Sequence, residues 1–421
     1  MNGLMNFLEE KLVPLAAKLG SNRYLKAISG GFVAVLSATI VGSMFVLISN
    51  LPIKAYTDWL ASSGFGSILA LPGQVTTDLI ALYAAFFIAY TLAKEFQVDG
   101  TGAGLSSLVS FMLVTGRVDG AISVEYLGAK GLFGAMLIAL IAGRIYVYVV
   151  QHGWTIKLPD SVPPNVANSF SALIPTFIVV IVFLIVAGLM TLTSYGNLQV
   201  AIFTVIQQQL MRFMGNNIFA YVFFNLMANL LWFFGLHGGN ITGSITSPIY
   251  TPLGLENLAL YQAGQEPVNI ISPQLTNCFT FGGVGSMFSL AILMTFLSKS
   301  EQFKTLGKLS LPTTFFFINE PLIFGIPVVL NPLFFIPLIF LTPIMAFMTY
   351  GVMSIGLIPI PNGVQIPWTT PPIISGLLIG DGRLVIWQIL MILFAMAAYF
   401  PFFKVADKRA YEEEQGKVSA N

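Results

Sequence analysis

The sequence predicts an all-α integral membrane protein, and three observations carry that reading. Only 9% of the 421 residues are Asp, Glu, Lys or Arg, against about 25% in a soluble globular chain. Mean hydropathy is correspondingly high, +0.83. The apolar runs have the length of membrane helices, and no series of short alternating strands appears, so a helical bundle is favoured over an outer-membrane barrel. The third observation is a carboxylate. Between Lys308 and Asp381, Glu320 is the only charged residue. A charge at membrane depth is costly and persists where it meets a cavity, a partner or a substrate.

The elements follow in order. Residues 2–19 read as an amphipathic helix on the membrane surface. A span over 27–53 carries no charge and ends near Pro52. Spans follow at about 75–93, 101–116 and 131–151, with GRVDGAISVEYLGAKG an exposed loop between the last two. From Ser161 to Met211 there is no charged residue, which places a fifth span at 171–193 and an amphipathic piece after it. A sixth span, NIFAYVFFNLMANLLWFFG, leads into GLHGGNITGSITSPIYTP. That stretch is too rich in Gly, Ser, Thr and Pro for a simple helix and reads as re-entrant or broken. A polar loop over 256–274 precedes a seventh span at 275–298 and a basic loop at 299–308. Because a residue before proline is pushed out of helical geometry, the Asn319-Glu320-Pro321 stretch predicts a second re-entrant segment. An eighth span at 332–352, the proline-rich PIPNGVQIPWTTPPIISG and a last span at 384–403 complete the chain. The sum is eight to ten transmembrane helices, two re-entrant hairpins and the N-terminal surface helix. Residues 1–404 form a single membrane domain, with 405–421 a cytoplasmic tail.

With the N-terminus placed in the cytoplasm, most Lys and Arg fall inside, and Lys54, Arg117, Lys130 and Arg383 fall outside. Both termini are therefore expected to be cytoplasmic. Net charge of +1 offers no reason to invoke nucleic acid. One cysteine, Cys278, excludes a disulfide framework. His152 and His237, without a carboxylate cluster, leave little for a metal site. No metal and no cofactor are expected, and Gly307-Lys308 lacks the rest of a P-loop.

Two ionisable groups stand in apolar, broken backbone of the second half: His237, between glycines, and Glu320. His237 could simply be packed at a helix end. Glu320 could pair with Arg144 or Arg212. As functional groups, they could supply a general base and a partner for it. Trp232 and Trp368 flank them in sequence. Each is either an interfacial residue or a platform for a sugar ring, with Asn240 and Asn319 as hydrogen-bonders to hydroxyls.

LPDSVPPNVANSFSALIP, GLHGGNI and INEPLIFGIPVVLNP resemble the membrane (IIC) component of bacterial phosphoenolpyruvate-dependent sugar phosphotransferase systems, in the lactose, cellobiose and diacetylchitobiose branch. The resemblance spans essentially the whole chain. It implies a permease of the bacterial inner membrane that binds a β-linked disaccharide and presents its 6-hydroxyl to a cytoplasmic IIB protein carrying a phosphocysteine, itself supplied by IIA. It places Glu320 at the reacting hydroxyl, His237 beside it, and Trp232 and Trp368 along the sugar. It implies a homodimer, with about 1–215 as scaffold and dimer half and 216–404 as sugar-binding half. Cys278 does not lie in a IIB-like segment, so the phosphodonor is expected on a separate polypeptide and the phosphotransfer centre is incomplete on this chain. Lys299–Lys308 is the expected docking surface for that partner. The competing reading is an ion-coupled secondary transporter with Glu320 as its proton site.

Overall fold

A computed structural model describes residues 13–416, apart from 50–53, 119, 160, 216, 327, 329 and 330. Of the expected surface helix, only α1 (Val13–Gly20) lies within the described residues. Among those residues, six helical stretches are long and apolar enough to cross a membrane: Arg23–Ser49, Phe65–Glu95, Ala129–Gln151, Val166–Met190, Phe335–Ser354 and Gly382–Glu414. Three shorter apolar helices, Gly100–Val114, Ile218–Phe233 and Val284–Leu297, join them. The protein is a helical membrane protein, as the composition predicts.

The chain forms two compact units. One comprises Lys18–Gly215 and Gly243–Glu256; the other comprises the described residues of Met1–Ala17, Asn216–Thr242 and Asn257–Asn421. The first is built from α2 (Arg23–Ser49), α3 (Lys54–Ser63), α4 (Phe65–Thr76), α5 (Ile80–Glu95), α6 (Gly100–Val114), α7 (Leu132–Gln151), α8 (Pro164–Ser171), α9 (Leu173–Met190) and α10 (Leu198–Ile202). Small residues let these helices touch. A Cβ added at Gly31 of α2 would stand 2.8 Å from the Ile88 backbone of α5. Without a hydrophobic drive between helices in lipid, close backbone approach and hydroxyl bonds do the joining. Ser107 of α6 donates to the Ala85 carbonyl of α5 at 2.7 Å, and the hydroxyls of Ser106 and Thr176 meet at 2.8 Å. Asp99 caps α6 by accepting from the Gly102 amide. The expected exposed loop after α6 carries a two-residue hairpin, with Arg117–Val118 (β1) paired to Ala121–Ile122 (β2).

The second unit holds α11 (Ile218–Phe233), the ends of α12 (Gly238–Gln262), and α13 (Phe288–Leu297), α14 (Glu301–Phe315), α15 (Glu320–Gly325), α16 (Phe335–Ser354), α17 (Ile374–Ile379) and α18 (Gly382–Glu414). Three expectations change here. The stretch after His237 is not broken but forms the 25-residue α12, with Pro248 and Pro252 inside it. Proline is tolerated in membrane helices because neighbours re-satisfy the freed carbonyls. The span expected at 275–298 is helical only in its second half. Residues 273–287 are 3-10 turns and loop, with Gly282, Gly283 and Gly285 at positive φ. The basic loop expected at 299–308 is the start of α14, which packs on α13 so closely that a Cβ on Gly307 would lie 2.7 Å from the Thr295 amide.

The last helix continues ten residues past 404 and fastens that turn. Asp407, 6% exposed, accepts from the Lys299 amide at 2.9 Å and the Ser300 amide at 3.0 Å, and from the Ser298 hydroxyl. Glu414 accepts from the Ser300 hydroxyl at 2.7 Å and the Gln302 amide at 2.9 Å. At the other end of α18, Asp381 accepts from the Arg383 amide and guanidinium. Partial burial pushes its carboxyl up, but the bonds from Arg383 outweigh this and hold it below the ordinary carboxylate range. Hydrogen bonds to charged groups contribute about 1.5–3 kcal/mol each. Asp407→Ala is therefore expected to cost roughly 3 kcal/mol or more and lower the unfolding midpoint in detergent, whereas Glu412→Ala, on the same helix, leaves it unchanged.

Candidate functional site

The candidate residues fall on three departures from helical backbone, all in the second unit. The first joins α11 to α12. Gly235, at φ +75°, turns the chain after Trp232. Gly238 must be glycine, because a Cβ would stand 1.9 Å from the Ala228 carbonyl. His237 caps α12: its Nδ1 accepts from the Asn240 amide at 3.2 Å. A neutral ring held this way carries its proton on Nε2, leaving an N–H donor free. The Trp232 and His237 rings lie 4.6 Å apart between centroids. His237 and Asn240 are exposed and Trp232 half-buried. The turn is held from below by α11, where Asn229 donates to Thr342 of α16 at 2.7 Å and Thr342 donates to Asn225 at 2.8 Å.

The second departure separates α14 from α15. Phe317 adopts φ +68°, and Asn319 ends the irregular stretch, so the backbone breaks at Glu320, as the following proline predicts. Asn319 is only 4% exposed. Its amide donates to the Val284 carbonyl at 3.4 Å and points at Met287 sulfur at 3.7 Å. Gly283, at φ +77°, lies under it; a Cβ there would be 2.6 Å from Asn319 Nδ2. The loop is fixed in turn by Tyr399 of α18, which donates to the Gly285 carbonyl at 2.7 Å. Glu320 itself, first residue of α15, is exposed. The apolar neighbourhood in sequence is thus not a buried neighbourhood in space. Among the described residues no ion pair involves Glu320. Neither arginine considered as its partner is bound to it: Arg144 stacks over Phe96, and Arg212 is exposed on a π-helical turn.

The third departure is the segment between α16 and α17, which the prolines predict to be non-helical and which is. Trp368 stands on it, 66% exposed. Residues that sequence reading passed over hold this segment. Asn257, fully buried, donates to the Pro361 and Asn269 carbonyls and accepts from the Val268 and Asn269 amides. Gln274 donates to the Gly363 carbonyl, and Gln388 accepts from Ile373 at 2.6 Å while donating to Ser375 and the Asn277 carbonyl. Their only signal in the sequence is an amide side chain in an apolar stretch. Trp232, His237 and Asn240 are thus brought together, and Asn319 and Glu320 share one break. Among the described residues no hydrogen bond or ring contact joins these groups to each other or to Trp368. Cys278 is buried, its thiol against the Gln274 carbonyl. No cluster of three metal-ligating side chains occurs among the described residues.

Residues 29–343 match the family model of the phosphotransferase system EIIC. The oligo-beta-mannoside-specific EIIC component of Bacillus subtilis is 38% identical, over 97% of this chain and 96% of that protein. The cellobiose-specific EIIC component of Geobacillus stearothermophilus is 36% identical, over 99% and 97%. Among solved structures, the transporter ChbC, the IIC component of the N,N'-diacetylchitobiose-specific phosphotransferase system, superposes with a TM-score of 0.93 at 37% identity, covering 98% of this chain and all of that one. The chain belongs to the phosphotransferase system EIIC family. It is a multi-pass sugar permease component of the bacterial inner membrane, working with IIB and IIA partners.

Gly283→Ala tests the support beneath Glu320. It strains a left-handed backbone and collides with Asn319, an overpacking cost of about 1–3 kcal/mol. The expected result is a lowered unfolding midpoint with a loss of sugar phosphorylation larger than that of Gly264→Ala, whose Cβ would meet open space.

Proposed function

We propose that this permease binds a β-linked disaccharide of the cellobiose or diacetylchitobiose kind, carries it across the membrane and presents its 6-hydroxyl to a separate IIB protein bearing a phosphocysteine. The observation that carries the reading is Glu320: an exposed, unpaired carboxylate at a backbone break in a stretch otherwise without charge. Relatives named for oligo-β-mannosides, cellobiose and N,N'-diacetylchitobiose supply the sugar class.

In this reading Glu320 accepts the proton of the 6-hydroxyl. The sugar oxygen forms a bond to phosphorus, the phosphorus–sulfur bond breaks, and the thiolate stays on IIB. Such a transfer asks the permease for positioning and charge stabilisation rather than covalent chemistry. His237 donates from Nε2 to the reacting oxygen or its neighbour. Trp232 and Trp368 border the sugar rings, and Asn240 bonds a hydroxyl. Asn319 acts from behind, holding Glu320 through Val284. The permease is a homodimer with both termini in the cytoplasm, where residues 1–215 serve as scaffold and 216–404 hold the sugar. Family membership does not favour an ion-coupled transporter.

The deciding experiment is binding of radiolabelled cellobiose and diacetylchitobiose to purified protein, wild type and Glu320→Gln. Saturable binding by the wild type, weakened about tenfold or more in the variant, fits a charge-assisted bond to the sugar. Glu320→Gln should also abolish IIB-dependent phosphorylation. If no disaccharide binds, or the variant changes only the pH dependence of uptake, the assignment fails.

The IIB partner docks on Lys299, Lys304 and Lys308. Lys299 and Lys308 are exposed, and Lys304 meets Glu301 at 3.7 Å. Lys299→Glu with Lys308→Glu should slow phosphorylation severalfold while leaving sugar binding intact, since steering charges act on association rate. Unchanged phosphorylation in that variant excludes this surface.

A further inference from the structure

We infer that Arg23 and Arg144 form a binding site for the phosphate of an anionic membrane phospholipid. Both residues belong to the first unit, whereas the candidate sugar residues belong to the second. Close packing builds it. α2 lies on α5 through Gly31, and α7 lies on α5 through Gly143, where a Cβ would stand 3.4 Å from Ala89. Both neighbours therefore follow α5 to its last residue, Glu95, and the ring of Phe96 receives a cation from each. The Arg23 guanidinium lies 4.7 Å from the ring centroid and that of Arg144 lies 4.9 Å from it. Gln151 of α7 donates to the Phe96 carbonyl at 3.4 Å, and Tyr24 packs edge-on against the ring.

Charge at this end does not balance. Arg23, Lys26, Lys94 and Arg144 gather here against Glu95 and Asp99. Glu95 is taken by Lys26 at 3.7 Å, and Asp99 is occupied in capping α6. Lys94 lies over the Tyr90 ring. Among the described residues neither guanidinium has an ion pair or a hydrogen bond, and Arg144 Nη1 is shut off from solvent with no acceptor. An aromatic face attracts the cation but accepts none of its five N–H bonds. A desolvated charge without an acceptor is costly, and a planar guanidinium matches phosphate oxygens better than any other anchor.

The surroundings favour a lipid phosphate over a free one. Arg144 stands seven residues before the end of α7, about 10 Å along the axis. Ile141 and Tyr148, three residues before and four after, are 52% and 45% exposed and share its helix face. An acyl chain lies along that stripe while the phosphate meets the exposed Arg23 and the accessible edge of the half-buried Arg144.

The test uses the full-length protein purified in neutral detergent. Phosphatidylglycerol, phosphatidylcholine and inorganic phosphate are titrated separately, with bound lipid counted by native mass spectrometry and the unfolding midpoint followed. Phosphatidylglycerol should bind about tenfold tighter than phosphatidylcholine, and Arg23→Gln and Arg144→Gln should each remove about that factor. Lys130→Gln, which alters the same net charge at the Glu125 pair, should not. Arg23 is exposed, so its variant carries the test if Arg144→Gln fails to fold. Equal binding of the two lipids, or wild-type phosphatidylglycerol affinity in Arg23→Gln, overturns the site. A midpoint rise with inorganic phosphate equal to that with phosphatidylglycerol makes it a free-anion site and overturns the lipid assignment.

Discussion

The second unit depends on one constraint: backbone that leaves helical geometry inside an apolar body must still have its N–H and C=O groups paired. The turn at His237 is closed by its own backbone and ring, and the other irregular segments are met by side chains from elsewhere in the unit. Tyr399 takes the carbonyl of Gly285, Asn319 that of Val284, and Asn257 closes both the 268–269 and 361 segments. Were any of these apolar, a desolvated peptide group would be left without a partner, at a cost of about 1–3 kcal/mol. The same side chains fix where the chain breaks. Glu320 and His237 stand at helix starts because the preceding residues are spent on turns, and the turns exist because those amides and hydroxyls answer them.

This explains what the sequence made legible. Apolar length is a property of the chain alone, so the helical membrane class, the break before Pro321 and the non-helical stretch around Trp368 were all readable. The continuous helix after His237 was not. Gly, Ser, Thr and Pro lower helix propensity, yet in a packed membrane protein tertiary contacts override that preference. Conversely, 275–287 looks apolar enough to span, but Gly282 and Gly283 adopt φ values of +72° and +77°, where a Cβ would collide with Phe288 or Asn319; the Gly-Gly pair was the local mark of that turn. The amphipathic start of α14 read as a loop because its charges are real and exposed. Ser300 caps it locally, its hydroxyl accepting from the Phe303 amide, and Asp407 and Glu414, more than a hundred residues away in sequence, take the neighbouring amides.

The candidate residues divide in the same way. Glu320, His237, Trp232, Trp368 and Asn240 are half-buried or exposed, and their residue types alone marked them. Asn319 has the same chemistry as Asn240, but it is buried and its amide is spent on the Val284 carbonyl. Asn257, Gln274 and Gln388 escaped notice because a buried amide has no sequence mark distinguishing it from an exposed one. A sequence therefore reveals groups that face outward to a ligand more readily than those that hold them there.

The two units also solve the membrane problem differently. The first joins its long helices through small residues and hydroxyls, without asparagine or glutamine clamps of the kind the second unit uses. Among its described residues one charged group is left unsatisfied: Arg144, whose Nη1 is buried without an acceptor, as single side-chain atoms of Ser43, Gln199 and Gln207 are buried without partners. The second tolerates loops at depth by using asparagine and glutamine as internal solvent. Only the second kind of construction can expose backbone ends and a carboxylate within an apolar body. The thiol argues in the same direction. Cys278 is fully buried among these clamps, where a phosphoryl donor could not load or unload it. A buried free thiol of this kind behaves as a small packed residue.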